Sequence, residues 1–284
     1  MTRVLALLLA LAVAFTAAPT FAQTDTLEKI KSSGVLTIGT RTGSPPFAYV
    51  NKNNEWVGFT IDLVEQLVKP EVEKAVGKPV KVEKKESTPP TRIPLLTSNA
   101  VDLIAGTMTD TPQRRESVDF SLTFFYTGAQ FMVKKGSPIK SVNDISGKRI
   151  ATQQGSTNEK ILREKYPQAQ LRAFPDQPAA FQALLQGQVD AYTNDGIQLY
   201  GLKAKAPKPE EWDVVGDFYS EEPYGMAMRK GDAKFKAAVD AGLKKGLEGG
   251  KYFEIYEKWF GPKGELPYPM TNPVRAYLMK QIGK

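Results

Sequence analysis

Two hydrophobic periodicities alternate along this chain. Short apolar runs bounded by turn residues are typical of buried strands, and stretches with apolar residues every three or four positions are typical of amphipathic helices. Extended segments are predicted at 35–39, 80–83, 101–106, 130–134, 149–153, 189–192 and 225–228. Helices are predicted at 60–68, 91–97, 178–186, 233–247 and 251–260, with two further helices beginning near 111 and 156. This alternation predicts an α/β fold.

The N-terminus has a different pattern. Arg3 precedes an unbroken apolar run at 4–15, and Pro19 and a small-residue site at 20–22 follow. This layout is typical of a secretory signal peptide, with cleavage expected after Ala22. The apolar run is too short to span a bilayer of about 30 Å. We therefore expect a mature protein that is soluble and periplasmic.

Composition narrows the possible chemistry. The chain has no cysteine and no histidine, which excludes thiol nucleophiles, Ser-His-Asp triads, disulfides and Cys/His zinc sites. No loop has acidic residues at calcium-binding spacing, so we expect no metal and no cofactor. After loss of Arg3 the net charge is +6, but lysines and acids are interleaved, as at 82–86. This pattern indicates a solvated surface, and no nucleic-acid partner is expected.

One segment suggests an anion site. A short predicted strand ends at Gly106, and Thr111 and Pro112 then suit the N-cap and first position of a helix. Arg114 follows in the first helical turn. The free N–H groups of that turn and a bidentate arginine could together hold a carboxylate. An ordinary strand-to-helix turn with a solvated arginine explains this segment about equally well.

Other polar residues stand at similar positions. Ser156 and Glu159 have capping-box spacing, so the N–H group of Thr157 could meet a carboxylate, although capping alone explains the pattern. Asp195, near the predicted end of a strand, could meet an ammonium group or simply form a turn. Arg41 lies just past a strand end and Arg92 opens a helix. Each arginine taken singly is more typical of a solvated surface.

Several longer segments can be compared with known families. They are PPFAYVNKNNEWVGFTIDLVEQL at 45–67, TRIPLL at 91–96, GTMTDTPQRRESVDFS at 106–121, DISGKRIATQQGSTNE at 144–159, QVDAYTND at 188–195, the stretch 203–212, EEPYGMAMRKGD at 221–232 and YFEIYEKWFG at 252–261. Together these segments resemble the periplasmic amino-acid-binding proteins of ABC importers, over nearly the whole mature chain. The resemblance is greatest to the glutamate/aspartate-binding members.

The resemblance implies a two-lobe periplasmic-binding-protein fold that closes on its ligand, with two crossover strands between the lobes. Lobe I is expected at 23–127 and 223–284, and lobe II at 128–222. A monomer that delivers its ligand to an inner-membrane ABC permease is expected. The length of 262 residues after Ala22 also favours two lobes.

The resemblance also implies roles for single residues. Arg114, the backbone of Thr109 and the N–H group of Thr157 would hold the α-carboxylate of an amino acid. Asp195, the Thr109 hydroxyl and the Thr107 carbonyl would hold its ammonium group.

Arg41 and Arg92 align with arginines that acidic-amino-acid binders direct at the distal carboxylate, which implies L-glutamate or L-aspartate as ligand. Gln177 stands where some of these binders have a histidine, and Ser44 and Thr60 also depart from the common family pattern. A glutamine, asparagine or broader polar amino-acid binder is therefore an alternative.

Two rivals belong to other classes. A few members of this fold are dehydratases of cyclic acids, which need a general acid facing the cleft. The sensor domain of a signalling receptor is a further rival, but no transmembrane segment follows the domain. Arg114 and Asp195, which would hold the α-carboxylate and the ammonium group of an amino acid, favour a binding protein. An enzyme is not expected.

Overall fold

A computed structural model describes residues 25–284 of the protein. The predicted signal peptide, 1–22, lies outside the described residues. Within the described residues, no helix has the length and apolar character needed to cross a membrane.

Strands and helices alternate as the hydrophobic pattern predicts. In chain order the strands are β1 Val35–Thr40, β2 Gly43–Ser44, β3 Ala48–Val50, β4 Trp56–Val57, β5 Lys81–Glu86, β6 Leu103–Ile104, β7 Val118–Lys134, β8 Arg149–Gln153, β9 Gln170–Phe174, β10 Ala191–Asp195, β11 Trp212–Val215 and β12 Glu221–Arg229. The α-helices are α1 Thr26–Ser33, α2 Phe59–Leu63, α3 Lys69–Val76, α4 Arg92–Thr97, α5 Pro112–Arg115, α6 Thr157–Lys165, α7 Gln177–Leu185, α8 Gly196–Lys205, α9 Ala233–Glu248, α10 Lys251–Phe260 and α11 Asn272–Lys280. A π-helical turn, Val64–Val68, joins α2 to α3, and short 3₁₀ turns occupy Val142–Asp144 and Pro209–Glu211.

The large sheet has the order β5-β1-β6-β12-β7-β10-β8-β9, with β11 also paired to β7. On one side of β7, β1 runs parallel to β5 and β6, and on the other side β8 runs parallel to β9 and β10. Strands β2, β3 and β4 form a separate small sheet. Helices connect the parallel strands, which confirms the α/β prediction.

Strand β7 joins the two halves of the molecule. Its first part pairs with β12, from Val118 opposite Arg229 to Gly128 opposite Glu221. Its last part pairs with β10, beginning with Ala129 opposite Asp195. The chain therefore passes from one lobe to the other along β7 and returns along β12, as two crossover strands. The predicted lobe boundaries at 127/128 and 222/223 stay a prediction.

Each lobe has its own hydrophobic core. In lobe I, buried aromatic rings pack edge to face around Phe47, Phe59 and Phe125, and α10 adds Tyr256 and Phe260. In lobe II two smaller clusters lie on either side of the sheet, one around Tyr192 and Leu199 and the other around Phe131 and Ile150. Most aromatic residues of α10 belong to the lobe I core, since Tyr252, Tyr256, Trp259 and Phe260 are buried.

Helix α9 lies unusually close to the π-helical turn. A β-carbon added at Gly242 would lie 2.3 Å from the carbonyl oxygen of Leu67. Only glycine therefore permits this approach.

Several predicted bounds differ from the structure. The predicted strand at 101–106 shortens to β6, and the predicted strand at 189–192 begins two residues later, as β10. Helix α8 continues to Lys205, into the lysine- and proline-rich stretch 203–208. Only the last five residues of the 17-residue β7 were predicted as a strand.

Candidate functional site

A cavity lies between the lobes, where several strands and helices end. It is small and is lined by polar side chains from both lobes. The lining residues are Arg41, Pro89, Arg92, Thr107, Thr109, Arg114, Gln153, Ser156, Thr157, Asn158, Asn194, Asp195 and Gln198. Seven of the eight predicted site residues are in this set.

The strand-to-helix turn at Thr111 forms as the sequence predicts. The Thr111 hydroxyl caps α5 by accepting from the N–H group of Arg114 at 3.2 Å, and Pro112 is the first helical residue. The Arg114 guanidinium donates to the carbonyl oxygen of Thr109 at 2.8 Å. Burial lowers the pKa of Arg114, and the negative charges of Glu222 and Asp195 partly offset this effect. The turn thus directs one cation into the cavity.

Arg41 and Arg92 are each only 2% exposed. Arg92 donates from Nη1 to the carbonyl oxygen of Thr107 at 2.9 Å. Its Nε and Nη2, and Nε of Arg41, have no hydrogen-bond partner among the described residues. Burial lowers the pKa of both, and the positive charges of Arg41 and Arg114 lower that of Arg92 further. Since buried N–H groups are normally paired, these donors are free for an additional acceptor.

Two glutamines lie beside Arg41. The Gln153 amide orientation that satisfies its neighbours has Oε1 accepting from Arg41 Nη2 at 3.0 Å and from the Gln177 backbone N–H group at 2.7 Å. The Gln177 side chain accepts from the Ser44 hydroxyl at 2.8 Å, a contact between the lobes. Its Nε2 has no partner among the described residues. Gln177 itself is not among the residues that line the cavity.

Asp195 ends β10, which pairs with the start of the lobe II part of β7, and it is 4% exposed. Its carboxylate accepts from the Asn158 amide at 2.9 Å, from the Gln198 amide at 3.1 Å and from the Tyr224 hydroxyl. None of these donors is charged. Burial raises the pKa of Asp195, while the hydrogen bonds from Tyr224, Asn158 and Gln198 oppose the rise. A cationic group in the cavity would stabilise this carboxylate.

Thr109 and Thr157, which line the cavity, both contact Glu222, a residue that the sequence pattern had not indicated. The hydroxyl of Thr109 and, at 2.8 Å, that of Thr157 both donate to Oε2 of Glu222. The backbone of Thr157 opens α6, whose N-cap Ser156 accepts from Glu159 N–H at 3.0 Å. A strand pattern could have identified Glu222, because it shares the buried face of β12 with Tyr224 and Met226 whereas Glu221 is exposed.

The side-chain amides of Asn158 and Gln198 were also missed. Asn158 follows Thr157 in the first turn of α6, and Gln198 lies in the first turn of α8. Both amides support Asp195, so their function depends on a tertiary contact that spacing along the chain does not indicate.

Larger grooves occur elsewhere on the surface. One of about 1380 Å³ on lobe II is lined by Lys134, Lys148, Arg149 and Asp190, among others. Its charged side chains are half-buried or exposed. The small cavity between the lobes is therefore the better candidate site, because charged groups converge there away from solvent.

The fold and this cavity define a two-lobe receptor for a small molecule. The sequence pattern described as bacterial extracellular solute-binding proteins, family 3, matches residues 36–262, and the chain belongs to this family. The predicted family and the periplasmic-binding-protein fold are thereby confirmed, and members of this family are periplasmic or extracellular binding proteins.

Similar proteins include binders of different ligands. The chain is 38% identical to a glutamine-binding protein of an ABC transporter from Bacillus subtilis, over 83% of this chain and 84% of that protein. It is 35% identical to an L-glutamate/L-aspartate-binding protein from Pseudomonas aeruginosa, over 97% and 95%. A solved structure of an ancestral amino acid-binding protein, a precursor of cyclohexadienyl dehydratase, is 36% identical with a TM-score of 0.73, over 83% and 99%.

Proposed function

We propose that the protein is a periplasmic receptor that captures an acidic L-amino acid, glutamate or aspartate, between its lobes and delivers it to an inner-membrane ABC permease. The observation that carries the proposal is the pair of buried arginines, Arg41 and Arg92, because three of their guanidinium nitrogens lack partners among the described residues. A distal carboxylate would satisfy these donors and their charge.

Charge around the cavity supports an acidic ligand. Arg41, Arg92 and Arg114 supply three positive charges, whereas Asp195 and Glu222 supply at most two negative ones. An excess of positive charge remains even with both carboxyl groups ionised. A dicarboxylic amino acid carries a net charge of −1 at neutral pH, whereas glutamine carries none, so only the acidic ligand reduces the excess.

The α-amino-acid end would be held at the opposite side of the cavity. Asp195, surrounded by neutral donors, would pair with the ammonium group. The Thr109 hydroxyl already donates to Glu222, so its lone pairs are left to accept from the same ammonium. Arg114 and the N–H group of Thr157 would hold the α-carboxylate, as the N-terminus of α6 favours an anion.

Relatives of both kinds support an amino acid as the ligand. The glutamate/aspartate-binding relative aligns over 97% of this chain and the glutamine-binding relative over 83%. The higher identity to the glutamine-binding relative favours glutamine as the second candidate. A monomer with the predicted lobe boundaries is part of our proposal.

Calorimetry tests the ligand directly. The mature protein, freed of ligand by unfolding and refolding, is titrated with L-glutamate, L-aspartate and L-glutamine. We expect tight binding of an acidic amino acid and weaker binding of glutamine by on the order of 2 to 4 kcal/mol, because the amide leaves a buried guanidinium unpaired. Equal or tighter binding of glutamine would establish the second candidate instead.

We propose a receptor rather than a dehydratase. Asp195 lines the cavity but would be occupied by the ammonium group, and Glu222 is not among the residues that line the cavity. Neither carboxyl group is then placed to protonate a leaving group there. This part of the proposal would be overturned if the protein converted a cyclic dienyl acid to product and calorimetry detected no binding of any amino acid.

A further inference from the structure

Glu222 occupies an unusual position for a carboxyl group. It lies on the crossover strand β12 with 1% of its surface exposed. Oε2 accepts from Thr109, which precedes α5 in lobe I, and from Thr157, which opens α6 in lobe II. Oε1 accepts from the Ser220 hydroxyl at 2.7 Å. Among residues 25–284, no lysine or arginine forms an ion pair with it.

The charged and titratable groups facing Glu222 do not compensate its charge. The Asp195 carboxylate on β10 opposes ionisation, and the Arg114 guanidinium on α5 favours it. Tyr219 and Tyr224 on either side stay neutral, because burial raises the pKa of both phenols. Burial first, and Asp195 second, raise the pKa of Glu222 to about 7, although the three hydroxyl groups oppose the rise.

This environment exists only while the lobes are closed. Thr109 and Thr157 belong to different lobes, so their hydroxyl groups reach one oxygen only when the lobes meet. Separation would admit water to the carboxylate and remove one donor. Closing must then move an ionised carboxylate out of water, which is costly, unless the group takes up a proton.

We propose that Glu222 is a positioning residue that couples closure of the lobes around the ligand to the uptake of one proton, its carboxyl group bridging Thr109 and Thr157. This inference rests on the proposed function. An acidic ligand acts in the same direction, because it adds net negative charge to the cavity.

The direction of the pH dependence follows from linkage. In the closed form the proton is held with a pKa of about 7, and in the open form near the ordinary glutamate value of about 4.3. The ligand affinity gained through proton uptake is fully present below the pKa of Glu222 in the open form. It is lost as the pH rises through about 7. Between the two values, affinity should fall by up to about tenfold per pH unit.

Proton uptake can be counted by calorimetry. L-glutamate is titrated into the mature protein at pH 6 and pH 8, each in two buffers of different ionisation enthalpy. The dependence of the binding heat on the buffer gives the number of protons taken up. We expect close to one proton at pH 6 and close to none at pH 8.

Matched variants assign that proton. Glu222→Gln should take up almost none at pH 6. Glu221→Gln removes the exposed neighbour on the same strand and should behave as the wild type. Thr157→Val, which removes one donor to the carboxylate, should raise the closed-form pKa and produce measurable uptake at pH 8.

Several results would overturn the proposal. Buffer-independent heats for the wild type at pH 6 would do so, and this measurement needs no variant. Uptake retained in a folded Glu222→Gln protein would also do so, and if that variant does not fold, unchanged uptake in Thr157→Val would. Absence of any glutamate heat would instead contradict the proposed ligand, and the proton count would then be made with L-glutamine.

Discussion

At the scale of single residues, the site depends on guanidinium groups whose hydrogen bonds are incomplete. Arg92 uses Nη1 on Thr107 and leaves Nε and Nη2 without partners among the described residues. Such donors are normally found paired in buried positions, so these nitrogens can accommodate a further acceptor. The same reasoning applies to Nε of Arg41.

Replacing either arginine should discriminate between ligands. We expect Arg41→Ala and Arg92→Ala to weaken glutamate binding on the order of 100-fold and glutamine binding less than tenfold, because only glutamate loses a charged partner. Calorimetry measures both affinities. Arg172→Ala, at an exposed arginine in β9, is the control and should leave both unchanged. Equal losses for the two ligands would contradict the assignment of these arginines to a distal carboxylate.

Asp195 should discriminate in a different way. Asp195→Asn preserves the shape of the side chain but removes the charge that we assign to the ammonium group. We expect weakening of glutamate and glutamine alike, on the order of 100-fold, since both ligands carry the same ammonium. Comparison with Asp190→Asn, at a half-exposed aspartate paired with Arg149, controls for the loss of one negative charge. Weakening confined to one ligand would place Asp195 at the side-chain end instead.

At the scale of elements, helix packing depends on a glycine that the hydrophobic pattern does not single out. Alanine is the better helix former by about 1 kcal/mol, yet we expect Gly242→Ala to destabilise the protein by about 1–3 kcal/mol. The added methyl group would meet the carbonyl of Leu67, which is backbone and cannot move aside alone. Chemical denaturation of the ligand-free protein gives the free energy of unfolding.

A reverse substitution on the same helix calibrates this result. Ala237→Gly lies on the exposed face of α9 and should cost about 1 kcal/mol through helix propensity alone. If Gly242→Ala were as stable as the wild type or more stable, α9 would have room to move away from the π-helical turn.

Elements with strong local signals could be predicted from the sequence. Strand β8 and helix α10 have the predicted bounds, and α9 differs by one residue. Thr111 and Ser156 are N-caps as predicted. The crossover strand β7 was largely missed because its length arises from pairing with β12 and then β10, and such long-range pairing has no local signal.

The site residues likewise divide into those with a local sequence signal and those whose contacts depend on the fold. Arg114 and Thr157 follow from capping patterns, and the placement of Arg41, Arg92 and Asp195 at strand or helix ends brought them into consideration. Their convergence on one cavity could not be derived from spacing, because it depends on how the lobes meet. The contacts of Glu222 could not be derived for the same reason, since its partners lie 113 and 65 residues away along the chain.

At the scale of the whole molecule, closure without ligand should be unfavourable. It would remove Arg41 and Arg92 from water while leaving their donors unpaired, and burial of an unpaired cation is costly. A ligand can shift the population toward the closed form only through contacts with both lobes. In our proposal Arg114 of lobe I contacts the α-carboxylate of the ligand and Asp195 of lobe II contacts its ammonium group.

Solution scattering can test this account. For the 262 residues after Ala22, a compact chain has a radius of gyration of about 18 Å, and we expect the protein with glutamate to approach this value. The ligand-free protein should be measurably larger. The double variant Arg41→Met, Arg92→Met removes the two cations that closure would bury unpaired, so its ligand-free form should be more compact than the wild type and should not respond to glutamate. If the ligand-free wild type already scattered as the closed form does, charge at these arginines would not control closure, and the contacts of Glu222 and Gln177 between the lobes would suffice to hold it.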